Sequence, residues 1–188
     1  LFSEENGLGP AAFPSLAQME REVVAAGAAL LNAPAGAAGA MTSGGTDSIF
    51  LAVKTARDHA RAKRGLNGPL NIVAPTTVHP AFDKACMVMD IEIRRIPVKD
   101  YLADVAAMEA ALDANTLMIV GSAPCFPFGL IDPIEALGEL AERKKLWLHV
   151  DACVGAYIAP FVRMNGAELP QFDFSVPGVW SISGDLHK

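Results

Sequence analysis

A lysine that sheds its proton becomes an amine able to attack a carbonyl. Lys188 closes the run Ser181-Ile182-Ser183-Gly184-Asp185-Leu186-His187-Lys188, which follows a short apolar segment. Most lysines are solvated surface residues, so Lys188 alone establishes nothing. Three other groups could work with it. Thr42-Ser43-Gly44-Gly45-Thr46-Asp47-Ser48 opens a helical pattern. Paired glycines bring backbone N–H groups close to an anion, and a helix start adds partial positive charge. The run lacks the lysine of a P-loop and the spacing of a dinucleotide fingerprint. It reads either as a phosphate cradle or as an ordinary glycine-rich turn. His149-Val150-Asp151-Ala152 ends an apolar strand pattern, where a carboxylate is costly without a partner. Asp151 could pair with a cationic ring nitrogen, hold a metal or cap a loop. His149 shares its face but reads best as a buried histidine with its hydrogen bonds satisfied, and no third metal ligand has a supporting spacing. His79, in Thr77-Val78-His79-Pro80, lies between a strand end and a helix start. It either acts on a ligand or caps the helix.

These groups need elements to position them. Leu16 to Leu31 reads as a helix with Ser15 as its cap, and Asp47 to Arg64 as a second, stopped by Gly65. Further helices are expected over Pro80 to Asp90 and Asp104 to Leu112. Another runs from a cap at Asp132 to Lys145, with Glu135 as its capping-box acid. Strands are expected over Leu70 to Ala74, Ile91 to Val98, Leu117 to Val120, Leu146 to Val150 and Val179 to Ile182. Alternating strands and helices imply an α/β fold with a mostly parallel sheet flanked by helices. In such sheets ligands gather at the carboxyl ends of the strands. The residues Thr77 to His79, Gly121 to Gly129, Asp151 to Gly155 and Ser183 to Lys188 follow the apolar runs, as that rule requires.

Composition narrows the function classes. The chain has 188 residues, 52% of them hydrophobic and 19% charged, which is material for a core rather than a disordered tail. A net charge of −6 argues against a nucleic-acid surface. The longest apolar stretch, Val23 to Leu31, is nine residues with a glycine inside, against roughly 20 for a bilayer span. Cys86, Cys125 and Cys153 are an odd number at no metal-like spacing. A reducing, cytoplasmic location is the simpler expectation, although a membrane anchor outside this segment would change it.

Each motif is weak singly, but their order is specific: anion turn, histidine, strand-end aspartate, strand-end lysine. The run resembles pyridoxal-phosphate enzymes of the aspartate-aminotransferase fold (fold type I), within the group II decarboxylase family. The resembling segments are Phe13 to Leu16, Met19-Glu20, Thr42 to Ser48, His79 to Lys84, Pro124 to Pro133, His149 to Cys153 and Ser181 to Lys188. The resemblance implies pyridoxal 5'-phosphate as cofactor, joined to Lys188 as a Schiff base. Asp151 would pair with the pyridine nitrogen, His79 would stack on the ring, and Ala152 would leave room on the other side. Gly45 and Thr46 would hold the phosphate, with His187 as a further contact. Lys188 and His79 are the catalytic candidates, and no metal is implied.

Within the family, Phe126 to Pro133 and Cys153 resemble the branch that cleaves phosphorylated long-chain bases of the sphingosine 1-phosphate type. That branch performs a retro-aldol cleavage to a fatty aldehyde and phosphoethanolamine. Phe128 stands where a histidine is common, Ala156 where a second glycine is common, and Pro80 where an alanine is common. These departures bear on substrate contacts rather than on the cofactor. The alternatives are an amino-acid decarboxylase with the same cofactor and, from another class, a non-catalytic structural or binding homologue. A nucleotide-binding α/β domain would need a phosphate lysine and a metal-binding acid that have no place here. The expected partners are a small phosphorylated amine or amino-acid substrate and a second subunit sharing the site. Residues 1–32 are expected to lead as a helical segment into the large domain. Residues 33–188 would form the central part of that cofactor-binding domain, with its C-terminal part missing.

Overall fold

The computed structural model describes residue 9 and residues 11–188. The first residues of the expected leading segment, 1–8 and 10, lie outside that description. Helix α1 (Pro14–Leu30) starts one residue before Ser15. Phe13 takes the cap position, so Ser15 sits in the first turn instead. Helix α2 (Gly45–Arg64) begins directly after Gly44 and ends at Gly65, whose left-handed φ of 67° closes the last turn.

The five strands are β1 (Leu70–Pro75), β2 (Ile91–Ile96), β3 (Thr116–Ser122), β4 (Trp147–Asp151) and β5 (Val179–Ser183). They form one sheet in the order β2-β1-β3-β4-β5. All four pairings are parallel, as the strand–helix alternation predicts. β1 and β3 are buried along their whole length, which fits continuous apolar runs covered on both faces. Alternate residues feed two layers. Ile72, Met118 and Val120 join Ile49 and Val53 of α2 and Phe82 of α3 (Ala81–Met89) on one face. Val73, Ile119 and Leu148 join Met108 of α4 (Val105–Ala110) and Leu137 and Leu140 of α5 (Ile134–Lys144) on the other.

Two further expectations give way for physical reasons. Asp132 does not cap α5; Pro133 holds that position. The Asp132 carboxylate is fully buried and accepts the N–H groups of Ala103 (2.9 Å) and Ser122 (2.8 Å). β2 stops at Ile96, and residues 99–102 turn back on themselves. A short helix α6 (Ala159–Met164) has no counterpart in the sequence reading, because six residues are too few to show a period. No helix among the described residues is long and apolar enough to cross a membrane.

The chain steps outward from β1 to β2, then returns to the other side of β1 for β3, β4 and β5. That reversal opens a crevice at the carboxyl ends of the central strands.

Candidate active site

A cavity of about 340 Å³ opens where the strand ends meet the start of α2. Residues 43–47 line one side, and His79, Cys153, Asp185, His187 and Lys188 line the rest. Five of the seven residues singled out from the sequence therefore meet there: Gly45, Thr46, His79, His187 and Lys188.

The anion turn is built by local rules. Gly44 takes a φ of 149°, a region that side chains rarely adopt. The Asp47 and Ser48 N–H groups both reach Gly44 O at 3.0 Å. The N–H groups of Gly45 and Thr46 stand before that first bond and have no partner within the helix. They remain as donors for an anion at the positive end of α2. Ser43 is committed elsewhere: its N–H and its hydroxyl both donate to the Asp47 carboxylate, at 3.1 and 3.3 Å.

His79 takes the helix-cap reading and also borders the cavity. Its Nδ1 accepts the Ala81 N–H at 3.1 Å, at the start of α3, while the residue lines the cavity. That bond places the neutral ring's proton on Nε2. The edge of the ring meets Phe126, with centroids 5.5 Å apart.

Asp151 and Ala152 are not among the residues lining the cavity. Asp151 is the last residue of β4, in register with Ser122 on one side and Ser183 on the other. Its Oδ1 accepts the Cys153 N–H at 3.1 Å and the Ser183 hydroxyl at 3.3 Å. Cys153 lines the cavity, so Asp151 stands one residue behind the wall. The three cysteines are unpaired and buried. Burial and nearby Asp151 push the Cys153 thiol up, leaving it neutral. His149 is the satisfied core histidine expected: Nδ1 meets Ser181 Oγ at 2.8 Å and Nε2 meets Ser183 Oγ at 3.3 Å. Burial lowers it to about 4, so it is neutral at ordinary pH. Among the described residues no three His, Cys, Asp or Glu side chains converge as a metal site.

Lys188 carries the main surprise. Its Nζ lies 2.7 Å from Asp185 Oδ2, and that carboxylate holds the ammonium above the ordinary lysine range. Asp185 is 6% exposed, and its role was missed in the sequence. The available signal was a carboxylate three residues before a lysine in one strand-end loop. The same carboxylate explains Gly45. A Cβ there would sit 2.8 Å from both Asp185 oxygens and 2.9 Å from Cys153 Sγ.

A helix start with free N–H donors, a flat imidazole and an amine on one cavity suit a molecule bearing a phosphate, an aromatic ring and an aldehyde. The residues present thus fit pyridoxal phosphate.

Comparison with known proteins agrees. Residues 3–188 match the pyridoxal-dependent decarboxylase conserved domain. The chain is 52% identical to a sphingosine-1-phosphate lyase of Oryza sativa, over 100% of this chain and 36% of that protein. The solved sphingosine-1-phosphate lyase of Burkholderia pseudomallei superimposes with a TM-score of 0.94 at 41% identity, covering 99% of this chain and 45% of that one. A glutamate decarboxylase of Lactobacillus brevis superimposes with a TM-score of 0.86 at 28% identity, covering 98% and 45%. The chain thus spans about a third of the length of the rice relative. A match over nearly every residue, on a fold whose strand ends gather an anion turn and an amine, makes this chain a member of the pyridoxal-dependent decarboxylase family.

Proposed function

We propose that the whole protein is a pyridoxal-phosphate-dependent carbon–carbon lyase acting on phosphorylated long-chain bases of the sphingosine 1-phosphate type. The observation that carries this reading is the 52% identity to a sphingosine-1-phosphate lyase across every residue of the chain. When bound, the cofactor supplies an electron sink that lets the Cα–Cβ bond break, releasing an aldehyde. The chain's own residues bind and orient. Gly45 and Thr46 would hold the phosphate through backbone N–H groups at the start of α2, with His187 beside them. His79 would lie against the ring, fixed by its bond to Ala81. Asp151, one residue behind the cavity wall, would favour a protonated ring nitrogen. Lys188 would carry the cofactor and, once displaced by the substrate amine, hold or move a proton at Nζ.

The similarity to a glutamate decarboxylase supports a second reading, cleavage of a carboxylate instead. The full-length protein, loaded with cofactor, is to be incubated with sphingosine 1-phosphate and separately with acidic and aromatic amino acids. Fatty aldehyde release is expected. Carbon dioxide from an amino acid, with no aldehyde, establishes the decarboxylase. Purified full-length protein that cannot be loaded with pyridoxal phosphate would falsify both readings and leave a non-catalytic homologue.

Residues 33–188 would be the central part of the cofactor-binding domain. A homodimer sharing the site and a cytoplasmic location complete the proposal, resting on the family resemblance. Sedimentation and cell fractionation of the full-length protein test them.

A further inference from the structure

The reaction just described assigns Asp185 no task, yet its carboxylate sits at the centre of the site. It is buried in the loop after β5, and its own N–H reaches Cys153 O at 3.3 Å. Lys188 Nζ lies 2.7 Å from Oδ2, and His187 Nε2 lies 3.9 Å from the same oxygen. The Gly45 backbone at the start of α2 packs so close that no Cβ fits between them. A carboxylate is not buried without compensation, and the helix start and the Lys188 amine supply it here.

We propose that Asp185 is a positioning residue for Lys188, stationing its amine at the cavity wall beside the phosphate turn and keeping one positive charge on Nζ. This rests on the reading of Lys188 as the cofactor lysine. The charge argument follows from the chemistry of attachment. An ammonium and an aldehyde condense to a protonated C=N linkage and one water, and the single positive charge stays on nitrogen. A fixed carboxylate therefore suits Nζ before and after attachment. Before attack the amine must give up a proton for the moment of bond formation, and Asp185 Oδ2 is in hydrogen-bond reach to take it and return it.

The groups facing this pair are His187 in the same loop, His79 before α3 with its Nδ1 held by the Ala81 N–H, Cys153 after β4, Asp151 at the end of β4 and Asp47 in α2. Cys153 is a neutral thiol, and Asp151 and Asp47 are committed to Cys153 N and to Ser43. His187 is mostly exposed and 3.9 Å away. Lys188 is therefore the close cationic partner of Asp185, and the titration below reports mainly on that pair.

The test uses the full-length protein as wild type, Asp185→Asn, Asp185→Glu and Lys188→Ala. In cofactor-stripped protein, trinitrobenzenesulfonate labels free amines, and peptide mass spectrometry follows Lys188 against pH. Wild-type Lys188 is expected to reach half-maximal labelling above the ordinary lysine value of 10.5. Asp185→Asn is expected to label about tenfold faster near neutral pH, because the carboxylate that favours the ammonium is gone. Asp185→Glu is expected to stay within about threefold of wild type, keeping the charge. In loaded protein, the pH at which the visible band titrates is expected to fall by about one unit in Asp185→Asn. Unchanged labelling and an unchanged band in Asp185→Asn overturn the proposal. Should that variant not fold, a wild-type midpoint below that of an ordinary lysine overturns it. Lys188→Ala is read separately: a visible band that survives in it refutes the cofactor lysine, while labelling of Lys188 still reports on the ion pair.

Discussion

Gly45 shows how one missing methyl organises the site. Its backbone faces the Asp185 carboxylate and the Cys153 sulfur at distances that leave no room for a side chain. In Gly45→Ala a methyl would meet both oxygens at 2.8 Å and the sulfur at 2.9 Å. Either the loop carrying Lys188 moves away or the start of α2 does. Overpacking of this kind costs about 1–3 kcal/mol. Each 1.4 kcal/mol is tenfold in affinity, so cofactor binding should weaken about fivefold or more. Equilibrium loading of Gly45→Ala beside Gly68→Ala measures this, because a Cβ at Gly68 meets open space. Equal affinity in the two variants would show that the contact is dispensable. Gly44, Gly45 and Thr46 were readable because a helix start is a local event. His79 was readable for the same reason, and Lys188 because it closes a strand-end loop. Asp185 was not, since nothing near it in sequence says that α2, some 140 residues earlier by the chain numbering, packs over its carboxylate.

At the scale of elements, Asp132 shows where a local motif yields to a tertiary one. Asp-Pro-Ile-Glu reads as a helix cap, and α5 does begin there, but the carboxylate turns inward instead. It joins the end of β3, at Ser122 N, to the turn leading into α4, at Ala103 N. These donors are far apart in sequence, so spacing could not reveal them. Asp132→Ala would strand two buried N–H groups, each costing about 1–3 kcal/mol. A loss of about 2–6 kcal/mol is expected on urea unfolding. Asp132→Asn should lose less, since the amide oxygen still accepts one of the bonds. A loss below about 0.5 kcal/mol in Asp132→Ala, the ordinary range for surface changes, would show that water replaces the carboxylate. Parallel pairing and the buried central strands were readable, because continuous apolar runs between helical patterns leave few alternatives.

Across the whole molecule the polar thread Ser181–His149–Ser183–Asp151 ties the interior of the sheet to the back of the site. It makes global stability depend on pH in a direction that can be worked out. Burial holds His149 at about 4, below its ordinary 6.5, and Asp151 opposes the shift only in part. Between these values the unfolded chain binds a proton that the folded chain refuses. Stability from this group is therefore complete above pH 6.5 and is lost as pH falls toward 4. A gap of 2.5 units corresponds to about 3 kcal/mol at 1.36 kcal/mol per unit. Carboxylates titrate in part of the same range, so the informative quantity is a difference between variants. His149→Gln keeps polar atoms for Ser181 and Ser183 but takes no proton. Hydrogen exchange at the β4 and β5 amides of the full-length protein, followed from pH 7 to pH 4, should show protection falling more steeply in wild type than in His149→Gln. Parallel slopes would mean that acid reaches the site by another route. A steeper wild-type slope makes the lower pH limit of cofactor retention a property of the sheet that carries Asp151, not of the residues lining the cavity.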